Sequence, residues 1–193
     1  MADINKKLET LYALLVDNLD VLEAELKTLI ENPERIENTN KFASLLSVLK
    51  NSIFINPLLE TISKSDRHSS WLADFLYAVI NLLDESSVND KFEIPENLID
   101  KLEAWILNYK DEISWKSASL LKFYDSTRAE QIQLKKLEER DDFFMTYIEC
   151  LLGLLRFNES KHWPLVQQIA EDDTYDDDFR AFANKLMLNN QSY

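Results

Sequence analysis

Only one glycine, Gly153, is present among the 193 residues of this chain, and it lies inside an apolar run. Glycine adopts positive φ at little cost, so β-hairpin turns, nucleotide-binding loops and strained active-site turns usually contain it. A chain with one glycine is poorly suited to a β-rich fold or to a loop that surrounds a phosphate group. Leu, Glu, Lys, Asn and Asp are abundant instead, which favours helices joined by short polar turns. We therefore predict an all-α fold.

The clearest helical period lies at the start of the chain. Apolar residues there alternate in steps of four and three, which places them on one face of a long helix. Asp3 is a candidate N-cap and Pro33 lies just beyond the end, with Asn18 as a point where the segment divides into two shorter helices. The stripe consists of Leu8, Tyr12, Leu15, Leu19, Leu22, Leu26 and Leu29.

Similar patterns downstream predict about eight or nine helices in all. The helix over 71–83 is apolar on much of its circumference and is expected to be central. Asn56-Pro57 and Trp163-Pro164 are expected to begin helices, and Thr174 to cap the last one. No proline-rich linker divides the chain. The simplest prediction is one compact domain over residues 1–193, built either as stacked antiparallel helix pairs or as an irregular bundle.

The segment 126–140 is the most charged of the predicted helices. Its Glu residues are mixed with Lys and Arg residues, which is typical of a solvated face with ion pairs four residues apart. We therefore expect this segment to present a solvated face.

The net charge is −14, from 35 acidic and 21 basic residues. This balance argues against nucleic-acid binding, which usually needs a basic face, and against docking on anionic lipid. It suits a basic protein partner, because opposite potentials speed encounter and set orientation. Solubility alone is an equally good explanation of the charge. The oligomeric state is left open.

Few residues are available for chemistry. His68 and His162 are the only histidines, and Cys150, in an apolar stretch, is the only cysteine and is expected to be a buried, unreactive thiol. A hydrolytic triad or a zinc site needs more partners than these supply. We therefore expect no catalytic residue, no metal site and no cofactor. The start of the chain has no apolar signal segment and no apolar run is long enough to span a bilayer, so we expect a cytoplasmic protein.

Residues 171–178 contain six acidic residues and one aromatic residue. Acids near a helix N-terminus favour the helix dipole, but six like charges at this density also repel one another, which favours an interaction role. Tyr175 would add rigid contact area to such a surface. The candidate partner-binding residues are Glu171, Asp172, Asp173, Tyr175, Asp176, Asp177 and Asp178, together with Asp141 and Asp142 of a neighbouring turn.

The last two predicted helices resemble one HEAT-type repeat. A proline-started helix is followed by an acidic turn and by an apolar residue before arginine, with Ala and Leu behind. The matching residues are Pro164, Asp173, Phe179, Arg180, Ala183 and Leu186. No second copy recurs at a fixed period, as a solenoid would require. The resemblance implies a helical-repeat surface that binds proteins.

In size, charge and helical character the chain also resembles bacterial immunity proteins. Such proteins neutralise a toxin, often a basic nuclease, by covering its active site or another essential surface. This resemblance implies a protein-binding inhibitor within a toxin–antitoxin type of system. The alternative is a helical-repeat adaptor or scaffold protein in another complex.

Overall fold

The computed structural model describes residues 18–85, 94–140 and 143–190. These residues form nine α-helices and two short 3-10 turns, Pro33–Arg35 and Ser52–Phe54, and none of them lies in a β-strand. The prediction of an all-α fold is therefore confirmed. The helices are α1 (Leu19–Glu31), α2 (Thr39–Leu49), α3 (Ile55–Lys64), α4 (Leu72–Glu85), α5 (Glu96–Asn108), α6 (Glu112–Leu121), α7 (Thr127–Glu139), α8 (Phe144–Glu171) and α9 (Asp177–Asn190).

The ends of these helices are fixed by polar caps and by left-handed residues. Asn38, Asp111 and Ser126 each accept a hydrogen bond from a backbone N–H in the first turn of the following helix. Such a bond satisfies a donor that has no partner inside the helix and contributes about 1 kcal/mol. At their C-terminal ends α2 and α7 stop at Lys50 and Arg140, whose φ angles are 50° and 55°. These residues occupy the position where glycine is commonest, so the chain ends two helices without glycine.

The helix expected to begin at Trp163-Pro164 is instead the second part of α8. The break lies earlier, at Asn158, whose φ of −157° and ψ of 92° are not helical. The Oδ1 atom of Asn158 accepts a hydrogen bond from the backbone N–H of Lys161 at 3.1 Å, as an N-cap does. Pro164 follows in the second turn after this cap, so it does not mark the start of the helix.

Two further boundaries differ from the prediction or fall outside the described ranges. α3 begins at Ile55, directly after the 3-10 turn, so Asn56 and Pro57 both lie in its first turn. Of the long N-terminal stripe, α1 contains the part from Leu19 onward, while Leu8, Tyr12 and Leu15 lie outside the described residues.

The most enclosed helix is α6, which packs against α4, α5 and α8. Seven of its 10 residues are buried, and three of these are serines: Ser114, Ser117 and Ser119. Small side chains allow neighbouring helices to approach closely, which explains how one short helix is surrounded on several sides. α4 is buried on most of its surface, as predicted. None of the helices in the described ranges has both the length and the apolar character needed to cross a bilayer.

α7 has the solvated face that its mixed charges predict, with Gln131, Lys135 and Glu138 exposed, but not all of its polar residues lie on that face. Its polar residues Glu130, Gln133 and Lys136 are buried, together with the apolar Ile132 and Leu137. α7 packs on α8, and the polar residues take part in that contact. The charged helix therefore contributes to the interior of the fold.

Candidate functional site

The acidic turn, residues 171–178, joins the last two helices. α8 ends at Glu171 and α9 begins at Asp177, and α9 packs more extensively on α8 than any other pair of described helices packs. Seven of the nine predicted partner-binding residues lie in this turn. The other two, Asp141 and Asp142, lie outside the residues that the structure describes.

Arg140, at the end of α7, holds the first half of the acidic turn in place. Its Nη1 atom lies 2.8 Å from Oδ2 of Asp172, and the same nitrogen donates a hydrogen bond to Oγ1 of Thr174. The Oδ1 atom of Asp172 accepts from the hydroxyl of Thr174 at 2.6 Å and from its backbone N–H at 3.0 Å. These Thr174 hydrogen bonds, aided by the charge of Arg140, hold the pKa of Asp172 below its ordinary value.

Tyr175 lies in the core and not on the surface, so its predicted role as an exposed contact residue needs correction. It is only 5% exposed, and its hydroxyl donates a hydrogen bond to the carbonyl oxygen of Leu137 at 3.1 Å. The ring packs edge-on against Tyr147 and Phe179, and the guanidinium carbon of Arg140 lies 4.5 Å from its centre. Burial raises the pKa of the Tyr175 hydroxyl. Tyr175 therefore joins the turn to α7 through its hydroxyl and to α8 through its ring.

The second half of the acidic turn is fixed by Asp176, which takes the capping role expected of Thr174. Its Oδ1 atom accepts from the backbone N–H of Asp178 at 2.9 Å and of Phe179 at 3.3 Å, at the start of α9. Asp177 forms an ion pair with Arg180 at 3.2 Å, but its side chain remains 97% exposed. This pair is worth little to stability because water screens it.

The acidic residues of the turn thus divide into two groups. Asp172 bonds to Thr174 within the turn and to Arg140 at the end of α7. Asp176 accepts hydrogen bonds from the backbone at the start of α9. Four carboxylates remain exposed on a backbone that these bonds hold rigid: Glu171, Asp173, Asp177 and Asp178. A backbone fixed in this way would lower the entropy cost of binding a partner at these carboxylates.

A second set of charged residues, which the sequence reasoning missed, lies between α7 and α8. We call Glu130, Lys161 and His162 the buried ionic cluster. The Oε1 atom of Glu130 lies 2.6 Å from Nζ of Lys161 and 2.5 Å from Nε2 of His162. Glu130 and His162 are each 5% exposed, whereas the Lys161 side chain is 55% exposed. The hydrogen bond from Lys161, assisted by that of His162, holds the pKa of Glu130 below its ordinary value despite the opposing effect of burial.

The same interface continues along α7 with Gln133 and Lys136. A Cβ atom at Gly153 would clash with the side-chain amide of Gln133, so the single glycine leaves room for that amide between α7 and α8. The Lys136 side chain is fully buried, and its Nζ atom lies 2.8 Å from Oε2 of Glu139. A buried ammonium group is stable only when such partners replace water.

A sequence signal for this interface exists in the pattern of α7. Glu130, Gln133 and Lys136 recur every three residues and share one helix face with Ala129, Ile132 and Leu137. Polar residues on an apolar face indicate a buried polar contact, and a glycine inside the apolar run of α8 marks where a neighbour approaches. Neither signal identifies which residues of α8 contact these polar side chains.

The remaining candidates for chemistry occupy separate places. His68 is exposed in a turn and His162 belongs to the buried ionic cluster. Cys150 is buried, as predicted. Within the described ranges, no group of three or more His, Cys, Asp or Glu side chains is arranged to hold a metal ion.

Comparison with known protein families, with curated proteins and with solved structures finds no match to this chain.

Proposed function

We propose that this protein is a protein-binding inhibitor, specifically an immunity protein that neutralises a basic toxin, such as a nuclease, by covering its active site or an essential surface. The observation that supports this function best is the acidic turn. It presents four exposed carboxylates on a backbone fixed by Asp172, Asp176 and the buried Tyr175. A partner rich in Lys and Arg is the complement of such a surface.

The proposed mechanism is electrostatic and steric, without a chemical step. The net charge of −14 attracts a basic partner over a distance of about one Debye length, and the rigid turn then orients it. Exposed carboxylates act mainly on the association rate, whereas pairs that become desolvated in the complex set its lifetime.

The partner is identified first by affinity purification of the intact chain from the cells that make it. Stoichiometric recovery of a basic enzyme that is toxic when expressed alone supports the proposal. Recovery of a non-toxic assembly supports the alternative, a helical-repeat adaptor or scaffold, and contradicts the inhibitor.

The acidic turn is then tested with the triple variant Asp173→Asn, Asp177→Asn and Asp178→Asn, which leaves the capping residue Asp176 in place. We expect association with the purified partner to slow by about tenfold at low salt, with a smaller difference at high salt. Stopped-flow or surface-plasmon kinetics measures the rate.

A matched control removes three exposed acids elsewhere, with Glu25→Gln, Glu37→Gln and Asp125→Asn. Because its charge change equals that of the triple variant, it separates the turn from the net charge. If both variants slow association equally, the turn is not the contact surface.

A further inference from the structure

Helices that are two apart in the chain pack on one another throughout the described fold. α2 packs on α4, α4 on α6 and α6 on α8, while α1, α3, α5 and α7 form a second row in the same way. α2 is the first described helix of its row. The position that would continue this row beside α2 belongs to whatever precedes α1 in the chain. Residues 1–17 precede α1, lie outside the described ranges, and carry part of the apolar stripe that predicts a helix.

The side of α2 that faces away from α4 is apolar and exposed. On the near side, the hydroxyl of Ser47 accepts a hydrogen bond from the side-chain amide of Asn81 in α4 at 3.1 Å. Because a helix turns about 100° per residue, Leu45 and Leu49 lie towards the opposite side, with Val48 next to them. We call Leu45, Val48 and Leu49, which are 43%, 76% and 37% exposed, the outward face of α2. Apolar side chains three and four residues apart form a surface on which another helix packs.

The chain enters the described fold beside the C-terminal end of α2. Glu23, in the second turn of α1, accepts a hydrogen bond from the side-chain amide of Asn51 at 2.7 Å, and Asn51 follows α2 by two residues. The backbone of Asn18 is not helical, with φ −117° and ψ 14°, so α1 does not continue straight through it. A segment that ends at this point and lies along α2 runs parallel to it. Residues 1–17 are more than enough to run the length of α2, which has 11 residues.

The charge of α2 fits this neighbour better than it fits a second copy of α2. α2 contains no acidic residue, whereas each of the other eight described helices contains at least one. Lys41 lies in its first turn and Lys50 directly after its end. Glu9 and Asp17 have a matching separation, about 12 Å against about 14 Å along parallel helices. Two copies of α2 packed antiparallel would bring lysines together at both ends, which is unfavourable.

We propose that the N-terminal segment, residues 1–17, lies along the outward face of α2 and covers it. In stacked helical arrays the terminal unit has this role, because it shields the apolar face of the unit beside it from water. Leu8, Tyr12 and Leu15 would supply the apolar contact. The outward face belongs to the first helices of the chain and the acidic turn to the last two, so this inference does not depend on the inhibitor function.

Thiol labelling of the intact chain with Val48→Cys tests the placement. Iodoacetamide modification is followed by peptide mass spectrometry, which distinguishes the new thiol from the buried Cys150. We expect labelling about tenfold slower than that of Glu138→Cys, an exposed position of α7, because the segment must first move away. Equal rates at the two positions contradict the proposal. Protection that increases with protein concentration indicates that a second copy covers the face, and also contradicts it.

A second substitution in the segment identifies the side that makes the contact. Leu15→Asp should raise the labelling rate of Val48→Cys about fivefold, because it places a charge in an apolar contact. The matched control Thr10→Asp adds the same charge on the opposite side of the predicted helix and should change the rate less than about twofold. Equal effects of the two substitutions would contradict a contact through the stripe. No partner protein is present, so failure here leaves the test of the acidic turn unaffected.

Discussion

The acidic turn and the buried ionic cluster use the same kinds of side chain in opposite surroundings. In the turn, Asp177 is 97% exposed and its ion pair with Arg180 lies in water. In the cluster, Glu130 is 5% exposed and bonds to both Lys161 and His162. An exposed charge contributes little to folding but remains able to attract an oppositely charged molecule. A buried charge destabilises the fold unless ion pairs and hydrogen bonds replace its lost hydration. The two regions therefore differ in what their charges contact: carboxylates of the turn face water, where we propose that a partner binds, whereas those of the cluster join α7 to α8.

The largest expected effect in this comparison comes from Glu130→Ala. Removing the carboxylate leaves His162 buried without its partner, so we expect a loss of about 3 kcal/mol in the free energy of unfolding. Urea denaturation followed by circular dichroism measures it. Glu138→Ala, at an exposed position of the same helix, is the control and should cost less than about 0.5 kcal/mol. Similar losses in the two variants would mean that the cluster is not buried as described.

A smaller loss, about 1 kcal/mol, is expected for Gly153→Ala. In an ordinary helix this change would stabilise the protein by roughly 1 kcal/mol, but here the new methyl group meets the side chain of Gln133. The double variant with Gln133→Ala should recover part of the loss, and a double-mutant cycle measures the coupling. If Gly153→Ala stabilises the protein, the Gln133 amide does not need the space beside Gly153.

The pH dependence of stability should separate the two regions further. Because the pKa of Glu130 is lowered in the folded chain, its carboxylate stabilises the fold fully above the unfolded pKa, and this contribution is lost as pH falls through the folded value. We expect Glu130→Gln to lose less stability than the wild type between about pH 6 and pH 3, so the two urea-midpoint curves converge on acidification. Parallel curves would show that Glu130 does not contribute to acid sensitivity. Asp172 has a lowered pKa too and leaves some acid sensitivity in the variant.

The smallest effect on folding is expected for the exposed acids. Asp173→Asn with Asp178→Asn should change the free energy of unfolding by less than about 0.5 kcal/mol, because water already solvates both carboxylates. Thermal and urea unfolding provide the measurement. A loss as large as that of Glu130→Ala would remove the contrast between the two regions, since the turn would then be a stabilising element.

The helices themselves were largely predictable from local sequence. The period of apolar residues identifies α4, and Ser126 is recognisable as the start of α7, because both signals depend on neighbours within one helical turn. The predicted helix start at Trp163-Pro164 is wrong because proline is tolerated near the start of a helix without marking its first residue. The actual cap, Asn158, has no distinctive sequence context. Composition identifies the acidic turn, but it does not indicate that Tyr175 is buried.

The sequence by itself determined the helical class: with one glycine and regular apolar spacing, the backbone satisfies its hydrogen bonds most easily within helices. Only the tertiary structure decided which charges face water. Glu130 and Asp178 are both acids near the start of a helix, yet α8 covers one of them and nothing in the described structure covers the other. Burial depends on residues distant in sequence, here Lys161 and His162, and no local pattern specifies which helix will supply them.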